Sequence, residues 1–160
     1  MKRKVVSPLA RAWGILVFIA GFINQVLIYF QRARFTSLIF FITTAVGFGY
    51  TLIKLTGWFK GEERLEEKQI LAVWLLVLLS APLWIGLFGL YQTVQIVRAW
   101  MFFIALGLCL SSIVRQIKLD FLWAILPSTG IFLSFIFPAY NFAIMGISIG
   151  WALIFYSFCF

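Results

Sequence analysis

The sequence predicts an all-α fold, a polytopic bundle of six transmembrane helices in a single domain spanning residues 1–160. Three observations lead there. Hydrophobic residues make up 64% of the chain and charged residues only 11%, where an ordinary globular domain has about a quarter charged. Residues 121–160 carry no charge at all. As one helix those residues would measure about 60 Å, twice the ~30 Å hydrocarbon core of a bilayer, so they read as two spans folded at Pro138. Apolar blocks of similar length precede them, separated by short polar connections.

The first span is expected at Ala12–Phe30. The preceding Lys2, Arg3 and Lys4 imitate a signal peptide. Asn24 and Gln25 interrupt the apolar run, however, and no small-x-small cleavage site follows, so the segment is expected to be retained. The second span, Phe35–Ile53, has Thr43 and Thr44 at its middle, followed by Gly47 and Gly49. The third, Ile70–Tyr91, follows the one substantial connection, Gly57–Lys68. In that connection Lys60 and Glu63, and Arg64 and Glu67, are spaced to support a short solvated helix. Its plainest role is a water-facing extension of the third span; a docking site for a soluble partner is the functional alternative.

The fourth span, Val94–Val114, contains Arg98 one turn from its start, from where the side chain can snorkel to the surface. The fifth, Phe121–Phe137, is the shortest, and Asp120 reads as its N-cap. Proline stops a helix and asparagine caps one, so Pro138 and Asn141 separate it from the sixth, Phe142–Phe160. Short connections predict that successive helices pack as antiparallel neighbours. Trp13, Trp100, Trp123, Tyr29, Tyr91, Tyr140 and Tyr156 fall near span ends, where aromatic anchors belong.

Lysine and arginine set the orientation. Lys2, Arg3, Lys4, Arg11, Lys54, Lys60, Arg64, Lys68, Arg115 and Lys118 fall on one side; Arg32, Arg34 and Arg98 fall on the other. That bias predicts both termini in the cytoplasm and the 57–68 loop with them, most naturally at the cell (plasma) membrane. The net charge of +8 is thus dispersed between spans. It leaves no contiguous basic face for nucleic acid.

The same pass narrows the chemistry. Histidine is absent, which removes His-ligated haem, the common zinc sites and histidine general bases. Cys109 and Cys159 sit in apolar runs and read as small hydrophobes. Glu62, Glu63, Glu66, Glu67 and Asp120 all lie outside span centres, so no midplane carboxylate is expected to relay protons or catalyse. No serine has an activating group at its depth, and no phosphate-binding loop occurs. Neither a cofactor nor a metal nor an enzymatic activity is expected.

Neutral polar groups remain. At least one of Asn24 and Gln25 is expected to face another helix rather than lipid, because an unpaired amide in hydrocarbon costs several kcal/mol. Gly146 and Gly150 have the G-x-x-x-G spacing that lets a second helix approach closely, in the chain or between chains. A faint repeat also runs through the chain. Arg11-Ala12-Trp13 recurs as Arg98-Ala99-Trp100, 87 residues on; Asn24-Gln25 then matches Ser111-Ser112, and Thr43-Thr44 matches Ser128-Thr129 at an offset of 85. Read as an inverted 3+3 repeat, this pattern brings Thr43, Thr44, Ser128 and Thr129 together at the midplane, beside interrupted helices, as in many secondary transporters.

Three functions follow. The first is a non-enzymatic membrane component that acts by helix packing, in a homo-oligomer or with other membrane-protein subunits, its common partner being the lipid bilayer. The second is a transporter of a small neutral solute. The third is a lipid enzyme, for which only the 57–68 loop could supply acids.

Overall fold

A computed structural model describes residues 6–32, 35–58, 65–87, 93–116 and 118–158. They form six helices: α1 (Val6–Tyr29), α2 (Thr36–Trp58), α3 (Leu65–Leu87), α4 (Thr93–Arg115), α5 (Lys118–Ile136) and α6 (Asn141–Phe158), with a 3-10 turn at Pro138–Tyr140 before the last. No strand occurs among the described residues. Half of the predicted charged loop, residues 59–64 with Glu62, Glu63 and Arg64, lies outside them, as do Cys159 and the side chain of Asp120.

The helices extend past the apolar spans read from the sequence. α1 begins at Val6, not Ala12, and takes in Arg11; α2 runs on to Trp58 and α3 begins at Leu65. The reason is that hydropathy detects the hydrocarbon segment, whereas a helix continues until its backbone bonds are satisfied some other way. α1 stops in a Schellman arrangement. The Gln31 and Arg32 amides return to the carbonyls of Ile28 and Leu27, at 2.9 and 2.7 Å, with Gln31 in the left-handed region at φ 57°. α4 ends on Gln116 in the same region, at φ 55°.

Two expectations about helix breaks are corrected. α5 passes through Pro127 without interruption, and α2 is continuous through Thr43–Gly49. A proline costs a helix one amide and crowds the preceding turn, yet Pro127 is fully buried and neighbouring packing holds the helix in register. Asn141 is not an N-cap. Its backbone is already helical (φ −50°, ψ −42°) and its amide donates to the Pro138 carbonyl. A cap needs a non-helical backbone to turn its side chain onto the first-turn amides, and the 3-10 turn has taken over that entry.

The helix pairings are unequal. α1 and α6 make the most extensive one, running antiparallel so that the start of α1 lies beside the end of α6. α4 packs on α3 and α5, α5 packs on α6, and α2 packs on α1. The buried core joins α1, α3, α4, α5 and α6 through Val6, Ile70, Val97, Leu108, Ala124 and Tyr156. The outside is apolar as well. Exposed large hydrophobics form helical stripes, such as Ile15, Ile19, Phe22 and Val26 on α1 and Leu76, Leu79 and Leu83 on α3.

Among the described residues, three helical segments are long and apolar enough to cross a membrane: Val6–Tyr29, Val94–Arg115 and Pro138–Phe158. Phe121–Ile136 is a shorter apolar helix. Glycines and small polar residues such as Gly14, Gly21, Ser111, Ser134 and Ser148 are buried between helices, while many large apolar side chains face out. Glycine, alanine and serine at helix contacts are what packing in lipid favours.

Candidate functional site

Two features could carry function, the seam between α1 and α6 and an apolar cleft behind α2. At the seam, glycines let two backbones touch. A Cβ on Gly21 would stand 2.6 Å from the Gly146 Cα and 2.6 Å from the Phe142 carbonyl; one on Gly14 would stand 2.8 Å from the Gly150 carbonyl. Gly146 and Gly150 therefore face α1 of the same chain.

Polar clasps close the seam at both ends. The Ser7 hydroxyl donates to the Ser157 carbonyl at 2.7 Å, and Arg11 reaches the Ser157 hydroxyl at 3.4 Å while lying over the Phe158 ring. At the far end the Gln25 amide donates to the Ala139 carbonyl at 2.9 Å and accepts from the Ala143 backbone N–H at 3.3 Å. Asn24 is wholly buried, and neither end of its carboxamide meets a protein partner; the Asn141 carboxamide is likewise without one. Of the neighbouring amides Asn24 and Gln25, only Gln25 makes hydrogen bonds between helices.

The cleft has a volume of about 120 Å³ and is lined from five helices. Val6, Leu9, Trp13, Val17 and Ala20 come from α1, and Thr43, Thr44, Phe48 and Thr51 from α2. Leu71, Trp74 and Leu78 of α3, Trp100 and Ile104 of α4, and Met145, Ile149 and Leu153 of α6 complete it. It exists because α2 hangs on α1 while α2 and α3 make no extensive contact among the described residues. Trp13 mediates the attachment. Its indole N–H donates to the Thr51 hydroxyl at 3.0 Å, which itself donates to the Gly47 carbonyl at 2.8 Å. The ring lies against Gly47, where a Cβ would come within 2.5 Å of it, and packs edge-on to Phe48.

The predicted midplane hydroxyls are not gathered. Thr43 and Thr44 line the cleft, but Ser128 and Thr129 do not. The Ser128 hydroxyl donates to the Ala124 carbonyl of its own helix at 2.8 Å, and Thr129 is exposed. A serine that back-bonds one turn down its helix is already satisfied. The halves also differ in packing. A repeat would make α2 on α3 the counterpart of α5 on α6. The second pair meets closely, with Gly130 against Ser148, and the first does not.

Sequence reasoning missed two sets of residues. Trp13 and Trp100 read as interfacial anchors, yet both line the cleft. Position along a span gives depth but not direction. Arg98, read as snorkelling, donates to the Ser134 hydroxyl at 2.9 Å and the Ser134 carbonyl at 2.8 Å and lies 3.7 Å from the Phe135 ring centroid. Ser134 is fully buried near the end of α5, where carbonyls lack helical partners and welcome a cation. Nothing in the local sequence connects it to Arg98.

No protein-family model matches the sequence, no curated protein is significantly similar to it, and no solved structure matches it.

Proposed function

We propose that this chain is a six-span integral membrane protein, without catalytic activity, that acts by helix packing in a homo-oligomer or a larger membrane complex. One observation carries the membrane reading: every one of the six helices presents large hydrophobic side chains outward. A contiguous apolar exterior marks a membrane or a partner surface. α2 and α3, each 23 residues, would measure about 35 Å and so can cross the ~30 Å core. The basic residues agree with termini in the cytoplasm at the plasma membrane. Lys54, Lys68, Arg11 and Arg115 lie toward the end that holds both termini; Arg32 and Arg98 lie toward the other.

Assembly is supported by the outer face of α2. Ala45 is exposed, and a Cβ on Gly49, four residues on, would meet nothing within 4 Å. That spacing puts both on one side of the helix, away from Gly47 and Thr51. Because Gly146 and Gly150 already serve α1, this is where a further helix can approach closely. The transporter reading is weaker, since its four hydroxyls lie apart and its helices are unbroken.

The test is the assembly in mild detergent. A multimer that Ala45→Leu with Gly49→Leu dissociates is expected, with the helical content retained. A monomer in gentle detergent and in bilayer discs alike, without co-purifying subunits, overturns the proposal.

A further inference from the structure

The slot behind α2 has no part in the packing just described, yet it is built from five helices. Its lining runs along α1 from Val6 to Ala20, a length of about 21 Å. The lining follows α1 over that distance, so the space is elongated and not a compact chamber for a solvated solute. Its walls are aliphatic and aromatic. Of its three threonine hydroxyls, Thr51 already bonds to Trp13 and Gly47. A guest that needs hydrogen bonds is poorly served there, and an alkyl chain is well served.

The slot's position narrows the guest further. Leu9 clusters with Leu71, Tyr50 and Leu75, so this end of the slot is the end that carries both termini. From there it extends inward over a distance comparable to one leaflet, about 15 Å of the hydrocarbon core. α2 and α3 border it, and among the described residues they make no extensive contact with one another beyond Tyr50 beside Leu71. At the mouth each of these two helices carries a lysine. Lys54 lies one turn beyond Thr51, with its ammonium 5.3 Å from the Tyr50 ring; Lys68 lies one turn before Leu71. An apolar slot about one leaflet deep, with a lysine one turn beyond its lining on each of two helices, suits an acyl chain that carries an anionic headgroup.

We propose that the slot holds one acyl chain of an anionic phospholipid, with its phosphate held at Lys54 and Lys68. This rests on the membrane reading but not on the assembly reading. A monomer that retains lipid would separate the two.

The experiment uses the full chain, delipidated in mild detergent and offered phosphatidylglycerol or phosphatidylcholine with the same acyl chains, with bound lipid read by native mass spectrometry. One phosphatidylglycerol per chain is expected to survive, in preference to phosphatidylcholine. Thr43→Phe with Thr44→Phe fills the slot and should cut retention at least tenfold at unchanged helical content. Lys54→Gln with Lys68→Gln should keep the chain-binding slot and lose the headgroup preference, by about fivefold per lysine. A brominated acyl chain gives a reading that needs no variant, because Trp13, Trp74 and Trp100 line the slot. Titrated in detergent, it should quench tryptophan fluorescence and saturate at one lipid per chain. The proposal is overturned by equal retention in the filled variant, by retention without headgroup preference, by no saturable quenching, or by a lipid-free dimer whose slot residues cross-link between copies.

Discussion

Helix α1 is held on two sides in two different ways. Toward α6, glycine meets glycine, and an added Cβ at Gly21 would strike main-chain atoms of Gly146 and Phe142. Toward α2, the comparable notch among the described residues is Gly47, and what fills it is the indole of Trp13. Backbones that meet directly leave no room between helices. A helix held off by a large ring stands further away, and the separation between axes depends on the side chains at the contact. α2 is therefore attached at Trp13, Gly47, Phe48 and Thr51 and makes no extensive contact with α3 among the described residues. The tight seam and the open slot follow from the same helix: small residues on one face of α1, an aromatic on another.

The largest effect should come from blocking the seam. Gly21→Leu forces a side chain into backbone, which cannot move aside as a flexible side chain can. We expect a loss of about 3 kcal/mol, near the top of the usual overpacking range, visible as a large drop in the thermal midpoint in detergent or as failure to accumulate. A near-native midpoint would mean that α1 and α6 are not in direct backbone contact.

A matched pair of alanine substitutions on α2 separates its two faces. Gly47→Ala meets the Trp13 ring and should cost about 1–2 kcal/mol, with a change in tryptophan emission as the ring is displaced. Gly49→Ala meets nothing and should be neutral or stabilise by up to ~1 kcal/mol through helix propensity. Equal effects of the two would contradict the orientation of α2.

The smallest effects are at the far end of the seam. Gln25→Leu removes two hydrogen bonds to the segment leading into α6 and should cost about 1 kcal/mol. Asn24→Leu replaces a buried amide without a protein partner by a group of similar size, which should be neutral or stabilising by the same reasoning. Thermal melts of the two single variants decide it; a larger loss for Asn24→Leu would reverse the assignment.

Much of the helical framework was legible in the sequence, because hydropathy and helix length are local properties of consecutive residues. The predicted segments fall inside the observed helices apart from single end residues, Phe30, Phe35 and Phe137; the last part of Ile70–Tyr91, from 88 on, and of Phe142–Phe160, from 159 on, lies outside the described residues. The extensions of α1 to Val6 and α3 to Leu65 escaped because charged residues read as span ends. Arg11 stays helical, bonded to Ser157 and resting over Phe158. Asn141 looked like a cap because asparagine favours that position, but the 3-10 turn before it had already made its backbone helical.

The site was less legible. Thr43 and Thr44 face the cleft, but their supposed counterparts Ser128 and Thr129 do not. A repeat in residue type carries no information about which side of a helix each residue faces once neighbours have packed.

By itself, the sequence determined that this chain is helical, built of apolar blocks and uneven in where its basic residues fall, since each of these is a sum over residue types and spacings. Only the tertiary structure decided how those helices meet. It turned Gly146 and Gly150 toward α1, paired Arg98 with Ser134, and left a slot between α2 and α3. Those outcomes depend on distances between residues far apart in the chain, where a single Cβ or a single indole sets how closely two helices can come.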